Sequence, residues 1–363
     1  MVEAKKNSVI PGLALTLVLA CVAYAAQSIP FPPFTLANGR HPLDAMIVAM
    51  VGGLLIRNLL PMPAAAREGI KYSVLKILPF GIVLMGAKLN FYDVVRVSQQ
   101  GLFINIACVA IALSVTLWIC SRLKVNRVLS LLLAVGTAIC GGTAIAVTAP
   151  VIEADEANTA FSVAAITLLG LLWVFVFPIV GSAIGLSQHE FGVWVGTAVH
   201  STPQVVAAGF AYGQQAGDVA VIVKLVRVLL LAPLVVGIGA VAAREKRRRQ
   251  EVHVKKSMKW TDILPPFVVG FVAMALFNTF NFLPDATFHL KDSPLWAASD
   301  VRVSTATMAT ASSNFLTTMA MGGVGLGVHL KELLKVGMKA FYVALLAAVI
   351  LACVSLAMIF MFR

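Results

Sequence analysis

Residues 128–149 read VLSLLLAVGTAICGGTAIAVTA and are closed by Pro150, an apolar run long enough to cross a bilayer. Its centre, Gly136-Thr137-Ala138-Ile139-Cys140-Gly141-Gly142-Thr143, is a poor helix former. A second run, 191–210, carries Gly196-Thr197-Ala198-Val199-His200-Ser201-Thr202-Pro203-Gln204 at its centre. An interior Gly costs a helix up to about 1 kcal/mol and an interior Pro about 3 kcal/mol. Lipid cannot satisfy the backbone groups that a break releases, so each break must be buried in protein or line a wet cavity. The two runs are therefore expected to be interrupted spans or re-entrant hairpins. The charge pattern of the flanking loops does not choose between these. If both are hairpins, residues 150–157 and 182–190 lie on opposite sides.

The rest of the chain sets these runs in a membrane protein. Of 363 residues, 60% are apolar and 12% charged, which excludes a soluble globular enzyme and a disordered chain. Eleven apolar segments are predicted, at 9–26, 43–56, 70–89, 101–120, 128–149, 157–185, 191–210, 218–242, 262–283, 300–327 and 337–361. The expected fold class is an all-α polytopic membrane protein with about 9–11 transmembrane helices, two of the segments interrupted or re-entrant. The first segment, behind Lys5 and Lys6, also looks like a signal peptide, with a weak lipoprotein-like box at Val18-Leu19-Ala20-Cys21. The polytopic chain that follows favours a retained first helix. Cys21, Cys108, Cys120, Cys140 and Cys353 form no CxxC pair, so neither a disulfide framework nor a zinc site is indicated.

The net charge of +12 is read as topology rather than nucleic-acid binding. Lys5 and Lys6, then Arg57, Arg67 and Lys71, then Arg122, Lys124 and Arg127 fall on alternate loops. The run Arg244-Glu245-Lys246-Arg247-Arg248-Arg249, with Lys255, Lys256 and Lys259, and finally Lys331, Lys335 and Lys339 continue that side. Short basic loops resist translocation, which predicts a cytoplasmic N-terminus in the inner membrane. The basic loop, 244–260, is expected to lie against anionic headgroups and to separate an N-terminal part, 1–243, from a C-terminal part, 261–363, of one membrane domain.

Two internal matches suggest repeats. Gly86–Val97 aligns without gaps on Gly325–Val336, on opposite sides of the predicted membrane, the pattern of an inverted-topology repeat. Val135-Gly136-Thr137-Ala138 matches Val195-Gly196-Thr197-Ala198 at a different offset.

Four sets of polar groups stand at membrane depth. Thr137, Cys140, Gly141, Gly142 and Thr143 are either a small-residue packing face or a broken helix aiming free N–H groups at an anion. His200, Ser201, Thr202 and Gln204 surround Pro203, and His200 is the natural proton carrier of the group. Lys224 and Arg227 share one helix face. A central Arg costs roughly 2.5–3.5 kcal/mol on insertion scales, so a partner is expected. That partner is either an acid, among Glu153, Asp155, Glu156 and Asp218, or an oxyanion held by the guanidinium fork. Ser304, Thr307, Thr310, Asn314 and Thr317 form one polar stripe, either back-bonded to carbonyls or lining a water-filled path. There is no Walker loop, HExxH, GxSxG or GxGxxG, so neither an ATP-driven pump nor an enzyme is expected, and no cofactor.

The runs from Val135 to Ile145, Ala149 to Ile152, Gly192 to Gly196, His200 to Gly209 and Lys224 to Arg227 resemble the YeiH-type bacterial inner-membrane proteins, proposed sulfate exporters. The likeness is strong over about residues 70–240 and weaker beyond. It implies a secondary transporter for an anion such as sulfate. The family pattern usually has His-Asp-Thr-Ala-Gln where this chain has His200-Ser201-Thr202-Pro203-Gln204, and tends to have Thr where Val226 stands. The missing acid at Ser201 bears on the coupling ion and on substrate charge preference. Together these readings predict an alternating-access anion exporter, with substrate contacts drawn from Arg227, Lys224, Thr137, Cys140, Gly141, Gly142, Thr143, His200, Ser201, Thr202, Gln204 and Asn314. Expected partners are the anion, a proton or sodium ion, membrane lipid and a second copy in a homodimer, with no nucleic acid and no metal. The alternatives are a cation/proton exchanger using Glu153, Asp155, Glu156 or Asp300, and a non-transporting scaffold or sensor.

Overall fold

Without water to bond, apolar backbone closes its hydrogen bonds inside helices. The computed structural model, which describes residues 9–29, 44–248, 265–290, 299–329 and 338–361, has helix on every one of the predicted apolar segments. In chain order these are α1 (Ile10–Gln27), α2 (Ala45–Leu59), α3 (Ala64–Lys88, with short 3-10 and π turns), α4 (Phe91–Arg122), α5 (Arg127–Ala138) and α6 (Gly142–Thr148). Then follow α7 (Glu156–Ala183), α8 (Gln188–Ala198), α9 (Thr202–Tyr212), α10 (Gln214–Leu229) and α11 (Leu231–Arg248). The last are α12 (Pro266–Thr279), strands β1 (Asp285–Leu290) and β2 (Ser299–Ser304), α13 (Thr305–Gly327) and α14 (Met338–Met361). Lys5, Lys6, the basic loop from Arg249 onward and positions 330–336 of the second repeat copy lie outside the described residues.

Among the described residues, six helical stretches are long and apolar enough to cross a membrane: Ile10–Gln27, Ala64–Lys88, Gly101–Arg122, Glu156–Ala183, Gln214–Val241 and Phe341–Met361. The chain is a multi-pass membrane protein. One feature departs from pure helix. β1 and β2 form an antiparallel ribbon with Asp285 opposite Ser304 and Leu290 opposite Ser299. The segment predicted at 300–327 thus begins as strand, and Ser304 is the cap of α13 rather than part of its polar stripe.

The chain divides into two compact units, each discontinuous in sequence: Met1–Arg96 with Pro265–Val328, and Val97–Leu264 with His329–Arg363. The lines run through α4 and past α13 as well as near the basic loop. In the first unit, α2 and α13 pack backbone to backbone, since a Cβ at Gly325 would run into the Met50 carbonyl and one at Gly53 into the Gly322 carbonyl. On α13, Thr317 is buried against Gly81 and Thr310 bonds back to the Ala306 carbonyl at 2.8 Å.

The second unit is organised around α7, whose 28 residues make a strut about 40 Å long. At its N-terminal end, Asn126 caps α5 by accepting from Leu129 N at 2.7 Å and donates to Asn158 Oδ1, in the first turn of α7, at 3.0 Å. The chain between them leaves this end and returns to it. A Cβ on Gly136 would stand 2.8 Å from Ile145 Cδ1, although nine residues of continuous helix would set the two about 13 Å apart. The run 128–149 is therefore a helical hairpin, its two arms folded back on each other.

The run 191–210 folds the same way from the other end of α7. Phe191 stacks on Tyr212 with ring centroids 3.8 Å apart and 11° between planes. The Tyr212 hydroxyl donates to the Leu186 carbonyl at 2.5 Å, just past the end of α7. Gln188 Oε1 accepts from the N–H groups of Gln215 at 3.1 Å and Ala216 at 3.3 Å, closing the hairpin base onto α10. Small residues let both arms reach α10: a Cβ on Gly196 would lie 2.8 Å from the Ala220 carbonyl, and one on Gly209 would lie 2.9 Å from Gly217 Cα.

Gly196→Val should therefore lower stability by about 1–3 kcal/mol through overpacking. Gly237→Val, at a position with nothing within 4 Å of the new Cβ, should stay within about 0.5 kcal/mol of the parent. Thermal unfolding in detergent compares the two.

Candidate functional site

The two hairpin tips meet beside α10. At the first, Ile139 leaves the helix at φ −116°, ψ −93°, and Gly141 turns at φ +67°, ψ −121°, a conformation open to glycine. At the second, Val199 (ψ 140°) and Ser201 (ψ 139°) are extended, and Pro203 falls in the first turn of α9, where a missing N–H leaves nothing unpaired. A Cβ on Gly141 would lie 3.9 Å from His200 Cβ, so the tips touch. The repeated Val-Gly-Thr-Ala closes the first arm of each hairpin, ending at Ala138 and Ala198.

A helix that stops leaves its last carbonyls unbonded and its negative dipole end exposed. Lys224 and Arg227, both wholly buried on α10, meet that requirement. Lys224 Nζ donates to the carbonyls of Ile139 at 2.7 Å, Val199 at 2.9 Å and His200. Arg227 donates from Nε to Ala138 at 2.6 Å, from Nη2 to Thr137 at 2.6 Å, and from Nη1 to Thr197 at 2.6 Å and Val199 at 3.2 Å. The expectation of an acid as partner of Arg227 does not hold among the described residues, where all its bonds go to main-chain carbonyls. The guanidinium fork keeps its charge at the site, but its donors are largely taken by the two α-helix ends.

The acids lie elsewhere. Glu153, Asp155 and Glu156 are exposed at the base of the first hairpin, and Asp218 is half-buried in the first turns of α10, six residues before Lys224. Asp155 caps α7 by accepting from Asn158 N and Nδ2, both at 2.7 Å. The backbone N–H and then the side chain of Asn158 hold its carboxyl below the ordinary carboxylate range. Asp300 lies on β2 in the other unit.

The second arms, α6 and α9, begin at the same crossing and present positive ends. With two N-terminal ends of about +0.5 each, two C-terminal ends of about −0.5 each and two buried cations, the crossing carries roughly +2. At the start of these arms Thr143 is exposed, and Gly142, Ser201 and Thr202 are half-buried, whereas Lys224 and Arg227 are wholly buried. Ser201 makes no side-chain cap bond.

Behind them sit buried polar atoms without hydrogen-bond partners: both ring nitrogens of His200, Thr137 Oγ1 and Gln204 Oε1. The Thr137 backbone lies beside the His200 ring, and its carbonyl is held by Arg227 at 2.6 Å. Gln204 turns away from the tip, donating to the Thr167 carbonyl at 3.1 Å with its oxygen pressed on Gly170 of α7. Cys140 is buried within electrostatic reach of both cations.

Of the expected site residues, Thr137, Cys140, Gly141, Gly142, Thr143, His200, Ser201, Thr202, Lys224 and Arg227 are brought together. Gln204 serves the hairpin's seat on α7, and Asn314 belongs to the first unit. Two supporting residues carried only faint sequence signals. Asn105, a lone amide in an apolar span, donates to the Val223 carbonyl of α10 at 3.0 Å. Ser355 of α14 meets Thr197 Oγ1 at 2.5 Å, and Trp194 Nε1 donates to the Ala352 carbonyl at 2.9 Å.

Removing Arg227 would leave the Thr137, Ala138 and Thr197 carbonyls buried without their donor. At about 1–3 kcal/mol for each orphaned group, Arg227→Met should cost about 3 kcal/mol or more. Size-exclusion chromatography after a heating series should show it lost roughly 5–10 °C before the parent, or absent from the folded peak.

The family model described as conserved hypothetical protein 698 matches residues 11–344. A UPF0324 membrane protein of Oceanobacillus iheyensis is 31% identical over 350 residues, covering 96% of this chain and 94% of the relative. A UPF0324 membrane protein of Listeria innocua is 30% identical over 353 residues, 97% and 95% of the two chains, and one of Staphylococcus epidermidis is 29% identical over 360 residues, 98% of each. All three names say membrane protein, in keeping with the YeiH-type resemblance. The chain belongs to the conserved hypothetical protein 698 family, with the UPF0324 membrane proteins as its relatives.

Proposed function

We propose that the protein is a secondary transporter, not an enzyme, that carries a small oxyanion such as sulfate by alternating access, in the direction of export. The observation that carries this reading is the crossing of two opposed hairpin tips over two buried cations with no acid beside them among the described residues. An anion entering from the open side would meet the positive ends of α6 and α9 first, with Thr143, Ser201 and Thr202 as hydroxyl donors. Lys224 and Arg227 would attract it through their charge rather than through a free fork. His200, with both ring nitrogens unpartnered, would bond the anion or pass a proton. Two hairpins entering from opposite ends of α7 suit a gate on each side of one site. The excess of Lys and Arg on alternate loops supports an inner-membrane placement with the N-terminus cytoplasmic. A cation exchanger would need its carboxylates at the tips, whereas Glu153, Asp155 and Glu156 are exposed at a hairpin base.

Sulfate counterflow into proteoliposomes tests the reading. Ser201→Ala and Thr143→Val each remove a hydroxyl from the open mouth, and each should weaken half-saturation about tenfold while leaving the unfolding midpoint near the parent's. Flux driven by a sodium gradient and indifferent to anions would overturn it, as would unchanged sulfate kinetics in both variants.

A further inference from the structure

Breaking a helix in lipid releases carbonyl oxygens that a bound ion can collect. At the hairpin crossing, the oxygens of Ile139, Val199 and His200 converge on one wholly buried positive charge, the ammonium of Lys224. These oxygens come from both tips, so the charge ties one hairpin to the other. The neighbouring carbonyls of Thr137, Ala138 and Thr197 are held separately by Arg227, so the three-oxygen cage does not owe its shape to Lys224 alone. Neutral main-chain oxygens around a single charge are a ligand set suited to a hard monovalent cation. The N···O distances of 2.7 and 2.9 Å suit an ammonium.

We propose that Lys224 fills a latent monovalent-cation site between the hairpin tips with a cation tethered to the chain. The lysine does permanently what a bound potassium or ammonium ion would do reversibly. The folded protein therefore needs no free monovalent cation at this point. The consequence for coupling, that sodium is not the ion carried with substrate, rests on the transport reading above. The cage itself does not.

The test uses the full-length protein in detergent and reads the midpoint of thermal unfolding in choline, sodium, potassium, ammonium and methylammonium chlorides at equal ionic strength. Wild type should shift by less than about 1 °C among these salts. Lys224→Ala opens the cage. Its midpoint should fall below the parent's and then rise by about 2–4 °C or more in potassium, ammonium or methylammonium over choline. Lys224→Met, whose chain refills the space without charge, should be destabilised and should not respond. The proposal is overturned if Lys224→Ala is indifferent to every cation, or if Lys224→Met responds equally. It is also overturned if wild type gains 2–4 °C in sodium or potassium over choline. Should Lys224→Ala not accumulate in folded form, the wild-type arm decides alone. These readouts involve no flux, so a wild type that failed to move sulfate would sink the transport reading and leave the cation site standing or falling on its own data.

Discussion

Two helices that end buried inside the protein leave carbonyls and a negative dipole with no water to receive them, and Lys224 and Arg227 answer that demand. The order of cause runs from backbone to side chain. Gly141, with φ +67°, and the extended Val199–Ser201 stop the first arms, and the stopped arms require a donor at that depth. Ordinary ion pairing would need a carboxylate, which would itself have to be desolvated. Main-chain carbonyls provide partial negative charge with geometry already set by the fold, and they satisfy Lys224 and Arg227 without adding a second full charge.

The rest of the second unit serves this junction. α7 is long enough to hold the two hairpin bases at opposite ends, through Asn126 and Asn158 at one and Leu186 and Tyr212 at the other. Gly196 and Gly209 let the second hairpin lie close enough to α10 for Lys224 to reach its tip. Asn105 holds the Val223 carbonyl one residue before Lys224, and Ser355 holds Thr197 from the side of α14. The negative ends of the first arms are thus met by Lys224 and Arg227, while the second arms α6 and α9 start at the same crossing.

Much of this was legible in the residues. The density of Gly at 136–142 and the Pro at 203 marked both breaks, and the apolar segments located the helices. Whether a break bends or returns was not legible, because both arrangements leave the same loops on the same sides. The hairpin answer came from pairs far apart in sequence, Phe191 with Tyr212 and Asn126 with Asn158. Arg227 was conspicuous by its depth, yet its partners were not, since a carbonyl has no residue type to read. The acids at 153–156 have the right charge to pair with Arg227, yet they stand exposed. The polar stripe through Asn314 falls in the other unit, a division that interleaves the chain and leaves no mark on composition. Strand β2, Ser-Asp-Val-Arg-Val-Ser at 299–304, does alternate, but its valines run on into the apolar period of the helix behind it.

The central claim is that the positive crossing of the two hairpins receives an oxyanion. Anomalous diffraction from crystals grown with selenate, a scattering analogue of sulfate, tests it most directly. The account predicts a selenium peak in front of Gly142–Thr143 and Ser201–Thr202, within hydrogen-bonding reach of their N–H or hydroxyl groups, with Lys224 and Arg227 behind it. A well-diffracting crystal with no peak there, or with selenate only at other surface positions, would contradict it.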